Sequence, residues 1–171
     1  MQPGIMLELE ARPESPDPVE QKIFRSFAAK LQFAASWVRC DIAFTASQLA
    51  RFCASAGPSH WAALHRVMGY LEAKPSFKLS YQIGGSEGLD GFADSDWGNS
   101  ITLRSTTGNR RVIMWRSKMQ KTVSLSTAEA KYYSASDMAI EVVYLRNLLA
   151  NMGFEQAPDT PVYEDNAACI E

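Results

Sequence analysis

Two aspartates stand where strands of this chain are expected to end. Asp94 closes the run Leu-Asp-Gly-Phe-Ala-Asp that starts at Leu89, and Asp165 closes Pro-Val-Tyr-Glu-Asp from Pro161. Carboxylates delivered to one sheet end are how oxygen-ligand metal sites are assembled. Magnesium takes a few carboxylates plus waters and substrate phosphate. Two such ions about 3.5 to 4 Å apart can activate water and stabilise the leaving oxygen of a phosphodiester. The alternative is that both acids are turn residues, which are common at strand ends. Spacing alone leaves both readings open.

A long helical pattern over 127–150 separates the two aspartates, with Ala135, Met138, Val142, Leu145 and Leu149 on one stripe and Gly153 as a stop signal. Extending that stripe backward reaches Lys131, so position 131 is expected to face the sheet. Position 129 lies about 200° away around the helix. Glu129 has a structural use there, because Ser126-Thr-Ala-Glu129 is a capping box that satisfies free amides at a helix start. A lysine near a helix N-terminus opposes the macrodipole. It either projects its ammonium between the two aspartates or runs its stem out to solvent.

A second set of candidates is basic. Arg104, Arg110, Arg111, Arg116, Lys118 and Lys121 fall within 104–121 with no acid among them. Phosphate contact, independent of base sequence and sensitive to salt, is the functional reading; a solvated hairpin face is the other. Trp97 and Trp115 fit core anchors better than base-stacking platforms.

The elements that must position these residues follow from pattern. Residues 1–20 hold four of the eight prolines and five acids, a composition that cannot bury a core, and read as a tail. From Gln21 to Lys74 apolar residues recur at three and four: Phe24, Phe27, Leu31 and Ala34, then Ile42, Ala46, Leu49 and Phe52, then Trp61, Leu64, Val67, Met68 and Leu71. Three helices fit, the third starting behind Pro58 and Ser59 with serine as N-cap and ending at Pro75. Short strand-like runs at 77–83, 88–94, 105–115 and 121–125 follow, with Gly84-Gly85, Asn99 and Gly108-Asn109 as turn signals. The long helix, a strand at Pro161–Glu164 and the start of another helix complete an α/β pattern that stops before its sheet is fully covered.

Bulk properties exclude several classes. The chain of 171 residues, 46% hydrophobic, suits one well-buried domain with a smaller appendage. A net charge of −2 gives no global pull on nucleic acid, so any such binding must be local. Cys40, Cys53 and Cys169 are an odd number without CxxC spacing, and no signal peptide precedes them, which reads as a reduced intracellular protein, cytoplasmic or nuclear. His60 and His65, five apart, do not share a helix face as zinc ligands do. No apolar run reaches the roughly 20 residues that cross a bilayer.

Five motifs then occur in order: Gly91-Phe-Ala-Asp-Ser-Asp-Trp97, Arg104-Ser-Thr-Thr-Gly108, Trp115-Arg-Ser-Lys118, Ser124-Leu-Ser-Thr-Ala-Glu-Ala130 and Tyr163-Glu-Asp-Asn166. Together they resemble the ribonuclease H region of copia-type retrotransposon Pol polyproteins. Upstream, Phe24-Arg-Ser, Cys40-Asp-Ile-Ala-Phe44, Arg51-Phe52, His60-Trp61 and Tyr70-Leu71 resemble the region connecting it to the polymerase core. The likeness covers residues 21–171. The polymerase's Tyr-x-Asp-Asp hairpin has no counterpart; Tyr163-Glu-Asp-Asn166 is only superficially similar to it.

The resemblance implies a ribonuclease H-like mixed sheet with a long helix, preceded by a small helical region. The implied domains are an acidic proline-rich tail at 1–20, a helical connection at 21–75 and a truncated ribonuclease H-like domain at 76–171. It implies Mg2+ or Mn2+ as cofactor, RNA–DNA hybrid as substrate, the rest of the polyprotein as partner and no membrane. Such enzymes use four acids; Asp94 matches the first and Asp165 the third. The family's helix usually opens Ser-x-x-Glu-Ala-Glu-Tyr, whereas here Lys131 takes the place of the second acid, with Glu129 as a weaker substitute. The chain ends at Glu171, before any fourth acid, and the hairpin from Gly108 to Trp115 is shorter than in relatives. The expectation is therefore a degenerate, inactive domain. The alternative is a module that binds nucleic acid or acts as a scaffold without cutting.

Overall fold

A computed structural model describes residues 17–78, 89–96, 104–110 and 113–170, with backbone only for 104–110. The chain divides into two compact units, Met1–Leu79 and Ser80–Glu171.

The first unit is helical. Helix α1 runs Pro18–Trp37, a 3-10 turn covers Cys40–Ile42, α2 runs Ala43–Ala50 and α3 runs Pro58–Ala73. Helix α1 begins inside the stretch expected to be tail, because the Asp17 side chain accepts from the Val19 amide at 2.9 Å and Pro18 fits the first helical position. Residues 1–16 lie outside the described residues. The core is Phe24, Ala28, Leu31 and Ala35 from α1, then Ile42, Ala46, Leu49 and Phe52, then Ala63, Leu64 and Val67; of the expected stripes, Phe27, Ala34, Trp61 and Leu71 are only partly buried against it and Met68 is exposed. Each fully buried large apolar side chain contributes about 1.5–3 kcal/mol. Phe24 meets the Trp61 ring edge-on, with centroids 5.2 Å apart.

The start of α3 differs from expectation. Gly57, not Ser59, is the N-cap, with Pro58 in the first turn. The imidazole Nδ1 of buried His60 accepts from the Gly57 amide at 2.8 Å, doing from the third helical position what a glutamate does in a capping box. His60 is thus a structural residue, packed 4.0 Å from the Phe52 ring.

The far end of α3 is pinned by Arg39. Its guanidinium forks onto Asp41 (2.9 and 2.8 Å) and donates to the Lys74 carbonyl at 3.1 Å, while the Tyr70 hydroxyl donates to Asp41 at 2.8 Å. The Arg39 and Asp41 side chains are only 11% and 13% exposed.

Among the described residues, the second unit is a four-stranded sheet with one long helix. Strands β1 (Gly91–Asp96), β2 (Arg104–Arg110) and β3 (Trp115–Val123) precede α4 (Thr127–Asn151), and β4 (Val162–Tyr163) and α5 (Ala167–Ile170) follow it. The sheet order is β3-β2-β1-β4, with β1 antiparallel to β2, β2 antiparallel to β3, and β1 parallel to β4. Gly91, Ala93 and Ser95 alternate toward the covered face of β1, and Ala93 packs with Met138 and Val142 of α4. Gly153 has φ +83° and closes α4 as expected.

The Gly108-Asn109 turn signal is overturned. Both residues lie inside β2, Gly108 between Asp94 and Ser117, and Asn109 between Ala93 and Arg116. Pairing on both sides of a central strand outweighs a local turn preference, and the chain reverses between Arg110 and Trp115 instead. Of the strand expected at 77–83, Phe77 and Lys78 are not in a strand and the rest lies outside the described residues, as do Gly84-Gly85 and Asn99. Among the described residues, no helix is long and apolar enough to cross a membrane.

The Arg39 cluster generates a pH prediction. The hydrogen bond from Arg39 holds the Asp41 carboxyl below the ordinary carboxylate range, against the opposing effect of burial. The unfolded chain therefore takes up this proton first on acidification. The stabilisation is complete above about pH 4 and is lost as pH falls through the lower folded value. Asp41→Asn is expected to cost about 2 kcal/mol at pH 7, the scale of charge-assisted hydrogen bonds. The gap to the native chain should narrow in urea melts at about pH 3. An equal gap at both pH values would contradict it.

Candidate functional site

The site forms where α4 begins, over the parallel β1/β4 pair. Ser126 caps α4, its Oγ accepting from the Glu129 amide at 3.1 Å. The Glu129 carboxylate turns back and accepts from the Leu125 amide at 2.6 Å, one residue before the cap. Glu129 is therefore consumed by the helix start.

Three links hold α4 in register on β3. Gln120 donates to the Ala130 carbonyl at 2.8 Å, Lys118 pairs with Asp137 at 2.7 Å and Arg116 pairs with Glu141 at 3.2 Å. Strand residues two apart meet helix residues four to seven apart, as the two periodicities require. A fourth link ties α4 to β1, where the Ser134 hydroxyl donates to the Asp94 carbonyl at 2.8 Å.

With α4 so placed, Lys131 enters the structure almost completely buried. Its ammonium lies 2.7 Å from Asp94 Oδ1 and 3.1 Å from Glu164 Oε1, and it also donates to Asp165 Oδ1. The Lys131 and Glu164 side chains are 8% and 5% exposed; those of Asp94 and Asp165 are 70% and 79% exposed. Strand alternation explains the difference. Asp94 belongs with Phe92 to the exposed half of β1, and Asp165 continues the face of Tyr163, whose ring stacks on Phe92 at 5.0 Å. Glu164 takes the opposite orientation and is buried.

One oxygen from each of Asp94, Glu164 and Asp165 lies within 4.8 Å of the others. Burial works against charge on Lys131, but the hydrogen bonds it donates to Asp165, Asp94 and Glu164 outweigh it and hold the ammonium well above the ordinary lysine range. Burial pushes Glu164 up, and the hydrogen bond from Lys131 pulls Asp165 down. Glu164 Oε2 is buried without a hydrogen-bond partner.

The structure thus brings Asp94, Asp165 and Lys131 together and sends Glu129 elsewhere. Glu164 was missed by sequence reasoning, which took only the terminal acid of Tyr163-Glu-Asp-Asn166. The available signal was the period of two, which sends residues 163 and 165 to one face and 164 to the other. Of the six basic candidates, Arg116 and Lys118 are paired with acids of α4, and Lys121 is exposed. Arg104 and Arg110 are in β2 with side chains outside the described residues, and Arg111 and Trp97 lie outside them altogether.

No protein-family signature matches the chain, and no solved structure matches it. Known proteins do. The Pol polyprotein of transposon TNT 1-94 from Nicotiana tabacum is 33% identical over 155 residues, which is 86% of this chain and 11% of that protein. That of transposon RE2 from Arabidopsis thaliana is 30% identical over 166 residues, 94% of this chain and again 11% of the polyprotein. A shorter relative, secreted RxLR effector protein 161 of Plasmopara viticola, is 36% identical over 113 residues, 63% of this chain and 80% of its own length. The chain therefore spans about a tenth of the polyproteins it matches along most of its own length, and it belongs to the family of retrovirus-related Pol polyproteins of copia-type retrotransposons.

Proposed function

We propose that the Ser80–Glu171 unit is a ribonuclease H-like domain of retroelement origin whose hydrolytic site is plugged by Lys131. The sheet order, the parallel β1/β4 pair and the long helix on one face support that fold. The motif positions of Asp94 and Asp165 support its descent. One observation carries the loss of activity: the Lys131 ammonium sits within hydrogen-bonding distance of all three acids.

A divalent cation does not fit this arrangement. The oxygens of Asp94, Glu164 and Asp165 are the donor type that Mg2+ or Mn2+ takes, and unpartnered Glu164 Oε2 is a spare donor. The centre of the cluster, however, is already held by a positive charge. A second cation a few ångströms away would meet strong repulsion in a partly desolvated site. No hydrolytic step can be routed through these residues as they stand.

The alternative, a module that binds hybrid without cutting, rests on the basic stretch 104–121. Arg116 and Lys118 are committed to Glu141 and Asp137, and phosphate would have to displace those acids. This favours the plugged nuclease remnant over a dedicated binding module.

Two tests follow. Incubated with an RNA–DNA hybrid and Mg2+ or Mn2+, the chain should release no RNA fragments above the protein-free background. Cleavage that disappears in Asp94→Asn would overturn the proposal. Glu129→Ala should lower stability by about 1 kcal/mol, the worth of a helix cap, visible as a lower thermal midpoint. If hybrid cleavage is detected and Glu129→Ala abolishes it, Glu129 has replaced the lost acid and the capping assignment is incomplete.

A further inference from the structure

The last stretch of the second unit is weakly fastened by its backbone. Strand β4 has two residues and pairs only with Gly91 and Phe92. Helix α5 has four residues, none of them buried. Arg146 holds the preceding loop through Thr160 and the carbonyls of Ala157 and Pro158. From Val162 onward the segment is held by that short ladder, the stacking of Tyr163 on Phe92, packing of β4 and α5 against α4, and the ion cluster at Lys131.

The cluster's chemistry is that of a cation holding strands together. Three carboxylates so close together repel one another unless a positive charge lies among them. A lysine ammonium carries three hydrogens, and three carboxylates here each present one oxygen to it. Two of those acids come from the 164–165 segment and one from β1, so the ammonium bridges the junction that the backbone leaves weak, as a bound metal ion bridges ligands from separate elements. The second oxygen of Glu164, Oε2, is buried and has no hydrogen-bond partner.

We infer that Lys131 is a tethered stand-in for a divalent cation, fastening the segment from Val162 to Cys169 onto β1, and that removing it converts Asp94, Glu164 and Asp165 into a site that takes Mn2+. This rests on the placement of Lys131 used in the proposed function, but not on any interaction with nucleic acid. Truncation at position 131 leaves a space at the edge of the sheet lined by one buried and two exposed acids, with no cation among them. Oxygen donors of that kind, with room for waters, suit Mg2+ and Mn2+.

Hydrogen exchange on the full chain, with and without millimolar Mn2+, tests the inference. In the native chain the amides from Val162 to Cys169 should be protected equally in both conditions. In Lys131→Ala they should exchange roughly tenfold faster or more, as a locally opened segment does. Mn2+ should restore their protection, and the spectrum of free Mn2+ should fall in parallel. Native-like protection in metal-free Lys131→Ala, or no response of that variant to Mn2+, overturns the inference. So does Mn2+ binding by the native chain that Asp165→Asn abolishes. If Lys131→Ala also loses protection throughout α4, two milder variants decide. Lys131→Met keeps the stem and should loosen only the terminal segment. Asp165→Asn, altering an exposed side chain, should do the same more weakly, and unchanged exchange in both overturns the inference. Hybrid cleavage by a native chain whose terminal amides loosen in Lys131→Ala, and which itself takes up no Mn2+ at the cluster, would sink the proposed function alone. A Lys131→Ala variant indifferent to Mn2+ would do the reverse.

Discussion

One buried positive charge organises the second unit. The Lys131 ammonium meets carboxylates from β1 and from the segment just after β4, distant in sequence, and only one of those acids, Glu164, has its side chain shielded from water with it. The pairs with Asp94 and Asp165 lie near solvent and are individually weak, as exposed ion pairs are. The pair with Glu164 is different. Burying either partner alone would carry a large desolvation cost, so each is tolerable inside only because the other is there. The exposed aspartates complete the ammonium's hydrogen bonding. Asp165 is held ionised by it, while burial of Glu164 works in the opposite direction.

That charge is in place because α4 is fixed before its first turn is complete. The Ser126 cap and Glu129 set where the helix starts, and Gln120 takes up the Ala130 carbonyl one residue before Lys131. Lys118 and Arg116 continue the attachment along β3 through Asp137 and Glu141. Residues that read as a nucleic-acid surface in the sequence are thus part of the device that aims Lys131. The helix cannot slide by a residue without breaking these links together, since strand and helix periodicities coincide only in this register.

What the sequence disclosed, and what it concealed, divides along physical lines. Positions that repeat a period over many residues were legible: the α1 to α3 stripes, and the line through Met138, Val142 and Leu145 that extends back to Lys131 and puts Glu129 on another face. Positions decided by pairing were not. Gly108-Asn109 is a strong turn signal in isolation, yet it lies in a strand with a neighbour on each side. Ser59 is a good N-cap by type, but Gly57 followed by Pro58 gave the helix an earlier start with His60 to receive its amide. Glu164 escaped notice because it lies just past a two-residue strand, too short for alternation to stand out, and because its burial goes with a lysine 33 positions earlier in the chain.

The residue at 131 decides how three converging carboxylates are accommodated. A small neutral residue there would strand three mutually repelling carboxylates, one of them buried. A lysine supplies a cation on a stem long enough to reach all three oxygens. The first would strain the fold; the second satisfies it. The observed geometry, with every carboxylate contacting Nζ, is that of the second. An unneeded long basic side chain near a helix N-terminus would relieve both its desolvation and its conflict with the helix dipole by turning to solvent. Lys131 stays inside against both costs, and the attraction of the three acids is the interaction that keeps it there.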